Sequence, residues 1–177
     1  MQEYKIIFAG SMGAGKTTAI TALSEISVIN TDVVNTDRSA HKKAMTTVGI
    51  DYGQVIIPPD LKLGLYGTPG QDRFRFVWQV VTSGAIGVIV IIDSTSDNAL
   101  NDVSHYIDFF AEQGMENIVV GLSHADEKHA RSLEEFLAYV SDKQYPYPIF
   151  TIDARVRSDV LLLVETLVAS AEAALYS

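Results

Sequence analysis

The sequence predicts an α/β protein: a doubly wound, six-stranded, mostly parallel sheet with one antiparallel strand and about five helices. Three observations predict it. Strand-like and helix-like patterns alternate along the chain, as they do where crossover helices join parallel strands. Residues 86–92 form a Val/Ile-rich run of the kind buried on both faces, and it ends at Asp93-Ser94. The apolar run 4–9 passes directly into Gly10-Ser11-Met12-Gly13-Ala14-Gly15-Lys16-Thr17, which reads G-x-x-x-x-G-K-T, a phosphate-binding loop.

The first strand covers residues 4–8, and the loop after it follows a local physical logic. Glycines at 10, 13 and 15 let the backbone turn through positive φ and pass close to a phosphate, with successive N–H groups pointing inward. Lys16 adds a mobile charge for the outer phosphates, and the Thr17 hydroxyl is placed to bind Mg²⁺ at the start of the next helix. The macrodipole of that helix, residues 16–26, favours an anion at the same place, while Ala19, Ile20 and Leu23 share its apolar face. Residues 27–48 are polar, rich in Thr and Asp and without period, and are expected to form a long functional loop.

Strands 51–57 and 62–66 flank Pro58-Pro59-Asp60, a turn short enough for an antiparallel pair. Gly67-Thr68-Pro69-Gly70 closes the second of them, and residues 72–82 predict an irregular helix. After the 86–92 strand, helix 100–110 places Val103, Ile107 and Phe110 on one face, with Gly114 as its stop. Strand 117–122, helix 133–140, strand 148–152 and a closing helix 159–175 complete the chain. Ligands in such sheets bind at the carboxyl ends of the strands. Residues 67–71, Ser123-His124-Ala125-Asp126 and Asp153-Ala154-Arg155 are therefore expected to converge on the phosphate loop.

Composition narrows the setting. With 177 residues, 47% of them hydrophobic, and no linker, repeat or low-complexity tract, the chain reads as one domain, 1–177, with its own core. The longest uncharged stretch, 76–92, contains Gln79, Thr82, Ser83 and two glycines, and divides into a helix end and a strand where a membrane span would be uninterrupted. The absence of cysteine excludes disulfides, thiolate metal sites and cysteine-linked lipids, and Gln2 stands where myristoylation needs glycine, so no membrane anchor and a cytoplasmic location are expected. A net charge of -9 argues against nucleic acid and against an anionic membrane surface as partners.

The order of phosphate loop, T-x-G, x-x-x-G-Q, x-x-x-D and x-A-x resembles the Ras-like small GTPases over essentially the whole chain. The stretch Leu65-Tyr66-Gly67-Thr68-Pro69-Gly70-Gln71-Asp72-Arg73-Phe74 resembles more narrowly the bacterial branch that includes the MglA-like polarity GTPases. The resemblance implies a P-loop NTPase fold and a GTP/GDP switch that binds guanine nucleotide with Mg²⁺ and hydrolyses GTP slowly. It also implies a roadblock-type protein as activator or co-regulator, effector proteins, and nucleotide-dependent shape in residues 30–51 and 67–83.

Residue by residue, the resemblance implies that Gly10, Ser11, Met12, Gly13, Ala14, Gly15, Lys16, Thr17 and Thr18 surround the phosphates, with Lys16 also stabilising charge in the reaction and Thr17 on Mg²⁺. Thr47 matches the threonine that reaches Mg²⁺ and the γ-phosphate, with Thr46 as the alternative register. Gly70 matches the backbone donor to the γ-phosphate, and Gln71 the glutamine that orients the attacking water. Asp126 would accept from guanine N1–H and the exocyclic amine, with Ser123 and His124 beside it, and the Ala154 N–H, between Asp153 and Arg155, would meet O6. Adenine offers Asp126 no such donor pair, so guanine is the expected base.

Several positions depart from the pattern. Gly67 replaces the Asp of D-x-x-G, as in the MglA-like branch, and Asp93, Asp51 and Asp37 are the candidates to substitute for it. Ser123 and His124 replace Asn and Lys, so an imidazole would cover the purine where a lysine stem is usual. Met12 is expected to crowd Gln71 and slow hydrolysis.

Other chemistries fit less well. Ser123, His124 and Asp126 are too close in sequence to form a hydrolase triad, and His41, His105, His124 and His129 lack metal-ligand spacing. Arg38, Lys42 and Lys43 read as a solvated basic face in preference to an arginine finger. A P-loop phosphotransferase would need an arginine-rich lid, and the segment after 117–122 offers only Arg131. A non-catalytic nucleotide-binding scaffold is the remaining alternative, motivated by Gly67 and Met12.

Overall fold

β1 (Glu3–Ala9) lies at the centre of one seven-stranded sheet of order β2-β3-β4-β1-β5-β6-β7, built with β2 (Ile29–Val34), β3 (Thr47–Ile57), β4 (Leu61–Gly67), β5 (Ala85–Asp93), β6 (Ile118–Ser123) and β7 (Ile149–Thr151). The computed structural model describes residues 3–34 and 47–176, with 31–34, 47 and 48 as main chain only. β1 pairs in parallel with β4 and β5, and β6 continues in parallel to β7. β3 pairs antiparallel with both β2 and β4, so it is the one reversed strand.

The helices are α1 (Lys16–Leu23), α2 (Arg75–Thr82), α3 (Ala99–Glu112), α4 (Leu133–Asp142) and α5 (Arg157–Leu175), five among the described residues. Strand parity assigns them to faces, because successive side chains point to opposite sides. Ile6 and Phe8 of β1 and Ile89 and Ile91 of β5 pack on the side covered by α1 and α5, with Ile20, Leu23, Leu163 and Leu167. Ile7, Ala9, Val88, Val90 and Ile92 point the other way, into Val77 and Trp78 of α2, Val103 and Phe110 of α3 and Phe136 of α4. Each such buried Val, Leu, Ile or Phe side chain contributes about 1.5–3 kcal/mol relative to exposure. The two layers hold the carboxyl ends of β1, β4, β5 and β6 in register.

The doubly wound class and the single reversed strand agree with the sequence reading; the strand count does not. Six strands were expected, and the seventh is β2, inside the 27–48 stretch read as a loop. Its sequence, Ile-Asn-Thr-Asp-Val-Val, has little alternation because β2 is an edge strand whose pairing with β3 rests on main-chain hydrogen bonds, and Ile29 is half exposed. The same pairing starts β3 at Thr47, four residues before the expected Asp51. α1 ends at Leu23, short of residue 26, because Ser24 turns extended and its Oγ accepts the Gln54 N–H at 3.1 Å. The irregular helix at 72–82 is a 3₁₀ turn, Asp72–Phe74, followed by α2.

Candidate nucleotide site

The loop after β1 wraps over the start of α1 with φ of 142° at Gly10, 82° at Gly13 and 108° at Gly15. Gly15 caps α1 in the left-handed region, a conformation that a side chain disfavours. Among the described residues the N–H groups of Gly13, Gly15 and Lys16 meet no acceptor, which leaves them available to an anion. The Lys16 ammonium is buried and folds back over the loop, donating to the Gly10 carbonyl at 2.7 Å and the Ser11 carbonyl at 2.8 Å. Burial pulls its pKa down to about 8, and the Asp51 carboxylate offsets part of that effect.

A cavity of about 350 Å³ opens beside this loop, bounded by Met12, Lys16, Thr17, Asp51, Thr68 and Gly70. Gly70 is pressed onto the loop: a Cβ there would lie 2.3 Å from the Met12 nitrogen. Gln71 follows, and its Nε2 donates to the Met12 sulfur at 3.6 Å, the crowding expected from the sequence. Thr68 ties the segment to β1, with its N–H donating to the Phe8 carbonyl at 2.9 Å. The Trp78 indole N–H donates to the Pro69 carbonyl at 2.8 Å, so the base of α2 fixes the same turn.

A second cavity, of about 410 Å³, adjoins the first through shared walls at Gly13, Gly15 and Thr18. Ser123, His124, Asp126, Ala154 and Arg155 line it. The buried Ser123 hydroxyl lies within hydrogen-bonding distance of the Ala14 carbonyl at 2.6 Å and the Ile92 carbonyl at 3.2 Å, joining the phosphate loop to the ends of β5 and β6. His124 has a positive φ of 55°, and its Nδ1 lies 3.1 Å from a Glu127 carboxylate oxygen. Asp153 accepts from Arg155 through both carboxylate oxygens, and that guanidinium holds its carboxyl down to about 2. Ala154 backs onto Gly15, and among the described residues its N–H meets no acceptor.

All three loops therefore meet the phosphate loop, as expected. Thr47 opens β3 opposite Val34, and its side chain lies outside the described residues, as do Thr46, Asp37, Arg38, His41, Lys42 and Lys43. Of the candidate acids, Asp93 is engaged by Thr95, whose N–H and hydroxyl both donate to its Oδ1, at 2.9 and 2.6 Å. Asp51 instead accepts from the Thr17 hydroxyl at the cavity wall. Sequence reading missed Asp102, whose carboxylate accepts from the Ser11 hydroxyl at 2.9 Å, and Asn30, which lines the phosphate cavity. A separation of 91 residues left no sequence signal for the first of these.

A profile of the Ras family matches residues 5–173. The chain belongs to the Ras family of small GTPases. This GTPase is 25% identical over 151 residues to the Ras-related protein RABD2a of Arabidopsis thaliana, covering 81% of this chain and 68% of that one. It is 23% identical over 163 residues to the Ras-related protein Rab-13 of Canis lupus familiaris, covering 89% and 74%. Its fold is similar to that of the Arl6 small GTPase of Trypanosoma brucei, solved with the nucleotide analogue GppNp, at a TM-score of 0.71 and 18% identity over 97% of this chain and 98% of that one. As a Ras-family member it is a guanine-nucleotide-binding switch that hydrolyses GTP. Among the described residues no helix is long and apolar enough to cross a membrane.

The family works with Mg²⁺, and the donor set here fits that ion. Among the described residues no group of three or more His, Cys, Asp or Glu could hold a metal unaided, whereas the Thr17 hydroxyl beside the Asp51 carboxylate supplies hard oxygen chemistry next to a phosphate cavity. The titration of Lys16 gives a pH prediction. A bound polyphosphate favours charged Lys16, so above its free-state value of about 8 binding must take up a proton. GDP affinity is expected to stay level just below that pH and then fall by at most about tenfold per pH unit, as isothermal titration at stepped pH would record.

Proposed function

We propose that residues 1–177 of this GTPase form one G domain that works in the cytoplasm as a GTP/GDP switch of the MglA-like branch. One observation carries the nucleotide-binding part of the proposal: a phosphate nest and a carboxylate-bearing base cavity share the walls formed by Gly13, Gly15 and Thr18, a volume shaped for a nucleoside polyphosphate. The Leu65-to-Phe74 sequence and Gly67 in place of Asp support the narrower placement.

In this reading residues 10–18 hold the phosphates, Asp126 and the Ala154 N–H read guanine, and His124 and Arg155 flank the base. Thr17 and Thr47 would hold Mg²⁺, which would supply positive charge to the outer phosphates. Gly70 donates its N–H to the γ-phosphate, and Gln71 orients the water for in-line attack. Charge developing on the phosphoryl oxygens is stabilised by Lys16 and the loop amides, so little of the barrier is left to covalent chemistry. The Gln71 amide nitrogen donates to the Met12 sulfur, a contact that restrains the side chain and supports slow intrinsic turnover and stimulation by a partner. Loss of the γ-phosphate contacts releases residues 67–83 and the segment from 30 to 51.

The proposed partner is a roadblock-type protein that recognises the GTP state. Pull-down with the protein locked in a non-hydrolysable GTP analogue is expected to recover it and its GDP counterpart is not. Recovery of no such protein in either state would remove the MglA-like placement while leaving the Ras-family assignment intact.

A further inference from the structure

Gly67 removes the carboxylate that in D-x-x-G sequences stands at the end of the strand facing the phosphate loop, yet a carboxylate still stands there. The antiparallel register of β3 and β4 places Asp51 directly opposite Gly67. A Cβ built on Gly67 would lie 3.2 Å from the Asp51 Cβ and 3.6 Å from Asp51 Oδ2, with Ile20 Cδ1 at 2.9 Å. A side chain from the neighbouring strand therefore stands directly beside the position that an aspartate at 67 would use. Oδ2 of that side chain accepts the Thr17 hydroxyl, and Oδ1 lies 3.4 Å from the Asn30 amide nitrogen. Both Asp51 and Thr17 line the phosphate cavity, and the Asp51 charge acts on the Lys16 ammonium across it.

We infer that Asp51 is the positioning acid of the Mg²⁺ site, moved across one strand pairing from residue 67 to residue 51. The Thr17 hydroxyl donates its hydrogen bond to Asp51 Oδ2, which leaves the hydroxyl lone pairs available to a cation, and Oδ1, which takes only the long contact from Asn30, keeps a lone pair to accept from water on that cation. The exchange is steric as well as chemical. With Asp51 in place a side chain at 67 would be pressed against it, and with glycine at 67 Asp51 has room.

The inference rests on the nucleotide assignment above, and the two fail separately under one experiment. Release of a fluorescent GDP analogue is followed while free Mg²⁺ is varied from chelator excess to saturation, in wild type, Asp51→Asn and the exchange variant Asp51→Gly with Gly67→Asp. Asn keeps the shape and an acceptor for Thr17 while removing the charge. Asp51→Asn is expected to raise the Mg²⁺ concentration for half-maximal GDP retention by about 10- to 100-fold, the usual effect of losing a carboxylate behind a metal ligand. Its release rate in chelator should differ from that of wild type far less than its release rate at limiting Mg²⁺. The exchange variant is expected to move the Mg²⁺ requirement back toward wild type, because the remaining neighbour of a Cβ at 67 is the flexible end of Ile20. An unchanged Mg²⁺ requirement in Asp51→Asn, or release accelerated equally with and without Mg²⁺, would overturn the inference and make Asp51 a packing residue. Failure of wild type to retain GDP at any Mg²⁺ concentration would overturn the nucleotide assignment itself, and the inference with it.

Discussion

Asp126→Ala is expected to weaken GTP and GDP binding by about 10²- to 10⁴-fold while leaving the weak binding of ATP unchanged. The magnitude follows from two hydrogen bonds to a charged acceptor, each contributing about 1.5–3 kcal/mol. The position follows from the fold. Asp126 lies three residues beyond the end of β6, whose last residue, Ser123, is fastened to the phosphate loop at the Ala14 carbonyl. A ligand anchored at the loop amides thus meets the carboxylate at a set distance. Competition against a fluorescent guanine nucleotide measures both affinities. Equal losses for guanine and adenine nucleotides would assign Asp126 to loop support.

Gly70→Ala is expected to lower single-turnover GTP hydrolysis by about 100-fold or more, with GDP affinity changed far less. A Cβ at this position would stand 2.3 Å from the Met12 nitrogen, 2.7 Å from the Ser11 carbonyl carbon and 2.8 Å from the Met12 Cα. These are backbone atoms of a loop packed against the sheet, so residue 70 must move away from it. The shift carries the Gly70 N–H and Gln71 with it, and a misplacement of about 1 Å at a reacting group costs on the order of 10²-fold. In the proposed site GDP is held mainly by the loop amides, Lys16 and the base cavity, which the substitution leaves in place. Comparing hydrolysis with GDP affinity in one variant separates the two effects. A rate within a few-fold of wild type would show that Gly70 does not need its close approach.

The parts of the molecule that were legible in the sequence are those with short-range causes. The G-x-x-x-x-G-K-T run fixes strand, turn and helix within eight consecutive residues, and the Val/Ile run of β5 reports burial on both faces by composition alone. The order of the later loops was readable because each follows a strand, and strands of a doubly wound sheet end at one edge. β2 was not legible because an edge strand pairs through its main chain and can carry any polar sequence that tolerates extension. Asp51 appeared in the sequence only as one of three candidate acids. The choice depended on register, and a slip of one residue in β3 would have turned its side chain to the other face. The contact between Met12 and Gln71 was foreseeable because both neighbours were already placed by their motifs. The Ser11–Asp102 and Trp78–Pro69 bonds depended on how α3 and α2 dock, which no local pattern states.

The central claim is that GTP is bound in the joined cavities and hydrolysed by water oriented by Gln71. Single-turnover hydrolysis of Mg²⁺–GTP by wild type and Gln71→Ala, with GTP affinity measured for both, tests it most directly. The account predicts slow turnover in wild type, a loss of about 10²-fold in the variant, and equal affinities, since the side chain acts on water rather than on nucleotide. Equal hydrolysis rates in the two proteins, or a preference of wild type for ATP over GTP, would contradict it.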